Sequence, residues 1–175
     1  LTKNGGGFLT LSGLNTYTGV TTINAGTITA NSLVPSTSYV VNSGGQLYGG
    51  WAIPGATYTN NITLSGTGWL EGGINNGAIR ASNNQIFSGP ITLAADSRIG
   101  MIEGGTTAST FSGQITGNFA LNVQGAFTGN SATQTFTLAN IGTANDYSGN
   151  LSISAVDYGG ARTGAKTIVK LGANG

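Results

Sequence analysis

Along this chain apolar and polar residues alternate in bursts of four to six: "FLTLS" (8–12), "VTTIN" (20–24), "SYVVN" (38–42), "NITLS" (61–65), "ITLA" (91–94), "FALNVQ" (119–124), "TFTLA" (135–139), "LSIS" (151–154) and "TIVKL" (167–171). A period of two sends neighbouring side chains to opposite faces of a pleated strand, so each burst predicts a short half-buried strand. Helical spacing does not persist, because glycine or a β-branched residue interrupts nearly every stretch of ten. Between the bursts stand SG, GG, NG and GN pairs, which permit the positive φ of tight corners. The pattern predicts an all-β chain.

A sandwich and a solenoid would both satisfy that pattern. What separates them is repetition: "LTLSG" (9–13) returns as "ITLSG" (62–66), with looser echoes in "IFSGPITLA" (86–94) and "TFSGQITG" (110–117). Self-similarity at roughly 20–50 residues marks a solenoid, in which each coil buries its apolar side chains on the next. At ~20–25 residues per coil the chain predicts about seven to nine coils, on the order of 40 Å long at the interstrand spacing. Alternation then directs inward Leu9, Leu11, Ile23, Ile28, Ile62, Leu64, Ile91, Leu93, Leu121, Val123, Phe136, Leu138, Ile153 and Ile168.

The two ends of the chain echo each other. Ile168, Val169, Lys170 and Gly172 align with Leu1, Thr2, Lys3 and Gly5 at a constant offset of 168 − 1 = 167. The expectation is that 1–175 forms one solenoid module, a unit of about that offset in a tandem or head-to-tail array. Leu1, Lys3, Ile168 and Lys170 are its candidate assembly residues, and copies of itself or neighbouring modules its end-to-end partners.

Composition narrows the function. The 175 residues fit one domain, yet only 6% are charged, against about 25% in an average protein. Thr, Ser, Asn and 31 glycines supply the polarity instead. A net charge of +1 with six scattered Lys and Arg offers no stripe for phosphates, so nucleic acid is not an expected partner. No apolar run approaches the ~20 residues of a membrane helix, so direct membrane insertion is not expected either; any export signal or anchor is expected to lie outside this segment. Cysteine is absent, which removes disulfides and thiolate sites.

The absence of histidine removes the usual general base and the commonest metal ligand. Five acids, Glu71, Asp96, Glu103, Asp146 and Asp157, are scattered along the chain rather than clustered as a polysaccharide-cleaving or calcium site would require. Asp96, two residues before Arg98, reads as a local turn or same-face pair. "KNGGG" (3–7) lacks the Gly-Lys-Ser/Thr and following helix of a phosphate loop and reads as a corner. No catalytic residue, metal or cofactor is expected.

The segment "LTKNGGGFLTLSGLNTYTGVTTINAGTI" (1–28) resembles the autotransporter-associated β-strand repeat, also called the passenger-associated transport repeat. Its pattern runs Lys-x-Gly-x-Gly, Leu-x-Leu-Ser-Gly, Asn-Thr-Tyr-Thr-Gly, then Thr-x-Ile-Asn-x-Gly. "SGPITLAADSRIG" (88–100) is similar to a segment found between such repeats in very large bacterial surface proteins. The resemblance implies a right-handed parallel β-helix in an extracellular or cell-surface protein, with an adhesive or structural role and no catalytic residues.

One cluster stands apart. Both tryptophans and two tyrosines fall within "LYGGWAIPGATYTNNITLSGTGW" (47–69). Aromatic faces stack on sugar rings and concentrate at interfaces. Tyr48, Trp51, Tyr58 and Trp69 are therefore candidate ligand-binding residues for surface glycans. Ahead of that stands the plainer reading, in which Trp51 and Tyr58 pack a loop excursion against the rod while Trp69 enters the core, and next an intermodule or interchain contact. The resulting expectation is a noncatalytic fibre or stalk module, with an adhesive, carbohydrate-binding β-helix as the alternative and a polysaccharide-degrading β-helix as a third.

Overall fold

A computed structural model describes residues 1–13, 15–30, 38–50, 53–139, 147–158 and 160–172. The described residues form strands, turns and bends without a helix. The chain winds as a parallel β-helix, and its strands stack into three ladders. The first contains Thr2–Lys3, Thr21–Ile23, Ser38–Val41, Asn61–Gly66, the start of Ile91–Glu103, and Ile115–Thr116. The second contains Phe8–Leu11, Gly26–Ala30, Gly45–Tyr48, Ile79–Ala81, the end of Ile91–Glu103, Leu121–Phe127 and Leu151–Asp157. The third contains Thr57–Tyr58, Ile86–Phe87, Thr107–Phe111, Thr133–Leu138 and Lys166–Leu171.

Every pairing in these ladders is parallel. Ile91–Glu103 runs through the first two, its register shifting between Leu93 and Ser97 where the chain turns the corner. The seven rungs of the second ladder are separated by six steps of ~4.8 Å, a rise of about 29 Å. Seven rungs stand at the lower end of the seven to nine coils expected, because several coils carry excursions. Thr2 pairs with Thr22 in the first coil, whereas Thr63 pairs with Thr92 in the fourth, so the later coil consumes a longer stretch of chain for the same rise.

Parallel register places like on like. The row Leu9, Ile28, Leu47, Ile79, Ile99, Val123, Ile153 runs the length of the second ladder. Its five middle members are buried completely. In the third ladder Tyr58, Phe87 and Phe111 stack nearly parallel, with ring centroids 4.8 and 4.9 Å apart. A side-chain ladder binds one corner as well: Asn42 Nδ2 donates to Asn24 Oδ1, and Asn24 Nδ2 to Asn4 Oδ1, each at 2.7 Å. Gly26 turns that corner in the second coil at φ +72°, where a Cβ would collide with the carbonyls of Gly5 and Gly7, so only glycine fits.

Of the residues directed inward by alternation, Ile23, Ile28, Ile62, Leu64, Ile91, Leu93, Leu121, Val123, Phe136 and Leu138 are buried. Leu9 and Leu11 are half-buried in the first coil. Ile153 lies on an interior row, but in the last coil, and is 56% exposed. Ile168 corrects the expectation. It pairs with outward Thr135, while Val169 stacks on buried Phe136, so Val169 is the inward residue.

Candidate functional site

Among the described residues the largest departure from a plain coil is an excursion at 67–77, between the first- and second-ladder strands of the fourth coil. It carries an antiparallel hairpin, Leu70–Glu71 against Ile74–Asn75. Gly68 and Gly77 close its base at φ +87° and +102°, and a Cβ at Gly68 would strike the Gly77 carbonyl. Asn75 Nδ2 ties the turn by donating to Thr67 Oγ1 and the Gly68 carbonyl, both at 3.0 Å.

This hairpin lies over the outward face of the second ladder and turns polar side chains there into interior ones. Gln46 and Asn76 are fully buried and Arg80 nearly so. Gln46 Nε2 donates to the Gly77 carbonyl at 3.0 Å and its Oε1 accepts from Thr27 at 3.1 Å. Arg80 Nη1 meets Glu71 Oε2 at 3.0 Å, with the side chains 9% and 28% exposed, and its guanidinium stands 4.3 Å over the Tyr48 ring. Arg98 Nη1 and Gln124 Nε2 both donate to the Asn75 carbonyl, at 2.8 and 3.2 Å. Buried polar groups are costly unless paired, so this network fixes the hairpin to the coils.

The candidate aromatics separate. Tyr58 points into the core, 2% exposed, its hydroxyl donating to the Gly49 carbonyl at 2.7 Å. Tyr48 is buried beneath the Arg80 guanidinium. Burial pushes its hydroxyl up to about 12, opposed by the Arg80 charge. Trp51 lies outside the described residues. Trp69 does not enter the core. It sits half-buried on the hairpin, edge-to-face with Phe8 at 5.0 Å between centroids, its indole Nε1 beside Gly6. Phe8, 56% exposed, completes a surface aromatic pair that the sequence reading missed. Its only signal was outward-facing Phe8 in a Thr- and Ser-rich strand, and the ring it meets lies three coils later in the chain.

The assembly candidates separate too. Lys3 lies on the first-ladder row that continues through Ile23, Val41, Leu64 and Leu93, an inward row. Its Nζ donates to carbonyls of Asn4, Gly5 and Ala25, lidding the first coil. The Leu1 amino group donates to the Val20 carbonyl at 2.9 Å. Lys170 is exposed in the third ladder, on the outward row with Thr137 and Thr110, and Ile168 is outward as well. Lys3 and Lys170 thus occupy different ladders and opposite faces, and the offset between the two ends does not join equivalent positions.

The acids hold structure. Besides Glu71, Glu103 Oε1 accepts from the Ser82 hydroxyl at 2.7 Å, and Asp96 Oδ1 accepts from the Ala120 amide at 2.8 Å. Arg98 turns away from Asp96 to donate from Nε to Asn122 Oδ1 at 2.7 Å. Glu71 and Glu103 both act on the Tyr48 hydroxyl, a proximity hidden by their sequence separation. Asp157 is exposed, and Asp146 lies outside the described residues. Among the described residues no three acids converge into a metal-binding group.

Residues 1–30 match the family model described as the Passenger-associated-transport-repeat. No curated protein and no solved structure matches the chain.

Proposed function

We propose that this chain is a noncatalytic structural module of a bacterial extracellular or cell-surface rod, extended end to end by further coils. The passenger-repeat match over 1–30 supports a secreted or surface protein. The observation that carries the structural role is the continuity of the interior rows. The row Leu9, Ile28, Leu47, Ile79, Ile99, Val123 and Ile153 runs unbroken through the coils, its five middle members fully buried. Solenoid stability is a sum of neighbour contacts, so such a stack holds itself as a rod. Sedimentation and electron microscopy of the 175-residue chain test this. Rods that lengthen with protein concentration are expected, and a monomer at high concentration overturns the end-to-end reading.

A second reading rests on the Phe8 and Trp69 ring pair. Rigid exposed aromatics offer faces to neutral sugar rings, so the module would also bind surface glycans. Glycan-array binding that Trp69→Ala abolishes supports it. Equal binding, or none by the parent chain, removes it.

A further inference from the structure

We infer that the outward face of the first ladder is an ice-binding surface, a regular array of β-branched side chains that holds a layer of water in the spacing of the ice lattice. The array is a product of register. Thr2, Thr22, Val40, Thr63, Thr92 and Thr116 pair one above the next through consecutive coils, in a single row of the sheet. No shift interrupts the row, because the irregularity within Ile91–Glu103 falls after Leu93. In one dimension the row is hidden, since the interval between its members varies from 40 − 22 = 18 to 92 − 63 = 29 positions.

Two positions further along the strands lies a second outward row, which includes Asn4, Asn24, Asn42 and Asn118. Its side chains fix one another: Asn42 donates to Asn24 and Asn24 to Asn4, each at 2.7 Å, and the Ser148 hydroxyl donates to Asn118 Oδ1 at 2.9 Å. The two rows form a grid of ~4.8 Å along the rod by about 6.6 Å across it, the latter being two residues of a parallel strand. Hexagonal ice repeats its oxygen atoms at a length within a few tenths of an ångström of the first spacing. β-Branched side chains are stiff at χ1, so each threonine keeps its methyl and hydroxyl in a fixed place. The methyls order the water above them and the hydroxyls anchor it. Val40, the one exception in the row, keeps the branched shape and lacks only the hydroxyl.

Strand preference alone does not produce this row. The neighbouring outward row of the same sheet carries Ser38, Asn61, Pro90 and Gln114 and repeats nothing. Solvated faces usually carry charge, yet among the described residues neither the threonine row nor the asparagine row includes a charged side chain. A charge would hold water in its own shell and break the lattice. The same two rows include no aromatic ring, which separates ice from a crystalline polysaccharide, whose sugars dock on aromatic faces. Every member of the threonine row is exposed or half-buried, whereas the outward face of the second ladder lies beneath the 67–77 hairpin. The array runs along the side of the rod, so it is independent of what continues either end.

Slow growth of ice from a dilute solution of the 175-residue chain, with protein assayed in the ice and in the remaining liquid, tests the inference. The chain is expected to enter the ice and to hold the freezing point of a single crystal below its melting point, where an ordinary protein is excluded and does neither. Thr63→Lys with Thr92→Lys should abolish both effects. Thr137→Lys, at an outward position of the third ladder, should leave both intact. Thr63→Ala with Thr92→Ala, the milder pair, should weaken both, and far-ultraviolet circular dichroism verifies that each variant is folded. Exclusion of the folded parent chain from ice overturns the inference. Retention that neither pair reduces, or that Thr137→Lys reduces equally, overturns the assignment to this face. Binding to microcrystalline cellulose in place of ice, lost in the same pairs, overturns it in favour of a saccharide lattice.

Discussion

Phe87 is the residue whose replacement tests the interior of the rod. It is fully buried in the third ladder and stacks on Tyr58 at 4.8 Å and 12° and on Phe111 at 4.9 Å and 6°. Truncating a buried phenylalanine to alanine costs about 3–5 kcal/mol. Phe87→Leu keeps most of the volume and removes two ring contacts worth ~0.5–1.5 kcal/mol each, so a loss of about 1–3 kcal/mol is expected. Phe136→Leu is the control. Phe136 is equally buried, but its row neighbours are Ser109 and Val169, so no ring stack is lost and the change should stay under ~1.5 kcal/mol. Urea unfolding followed by far-ultraviolet circular dichroism reads both. A second signature follows from the one-dimensional architecture: weakening a middle coil uncouples the coils on either side, so the Phe87→Ala transition should broaden, with a smaller denaturant slope. Phe87→Leu and Phe136→Leu within about 0.5 kcal/mol of each other, a margin near the usual error of additivity, would refute the stacking argument.

Two further outcomes follow from the hairpin and its cover. Glu71→Gln removes the countercharge of the nearly buried Arg80 guanidinium; with Glu71 itself partly exposed, the cost is about 1–2 kcal/mol. Hydrogen exchange should accelerate in 67–77 more than in the third ladder, and uniform exchange across both would contradict the latch. The Tyr48 hydroxyl, pushed up to about 12 by burial, stays protonated when the unfolded chain has ionised near its usual ~10. Its contribution is present below pH 10 and declines as pH rises from 10 to 12, at up to ~1.4 kcal/mol per pH unit. Tyr39 and Tyr58 are pushed up by burial in the same direction. Unfolding free energies at pH 9, 10 and 11 should fall less steeply in Tyr48→Phe, and an unchanged slope would show that Tyr48 does not contribute.

The strands legible in the sequence are those with one face in water. Phe8–Leu11, Asn61–Gly66 and Thr133–Leu138 alternate because their outward residues are solvated. Gly45–Tyr48 and Ile79–Ala81 are buried on both faces, one by the core and the other beneath covering excursions, so "GQLY" and "IRA" carry no period of two. The surface aromatics were obscured for a related reason. Tyr48, Tyr58 and Trp69 are close in sequence, but the winding sends them to a cover, a core stack and a surface hairpin.

What the sequence determined by itself was the unit of construction: short strands of period two, glycine corners, and repetition that only coil-on-coil stacking satisfies. Those properties are local, because pleat and positive φ belong to a few residues at a time. Which coil sits on which was decided by tertiary structure. Lys3 and Lys170 read as equivalents in one dimension, yet excursions of different length between them rotate one inward into the first ladder and the other outward into the third. Equivalence in a solenoid is counted in rungs, and the length of chain per rung is set by how each excursion packs.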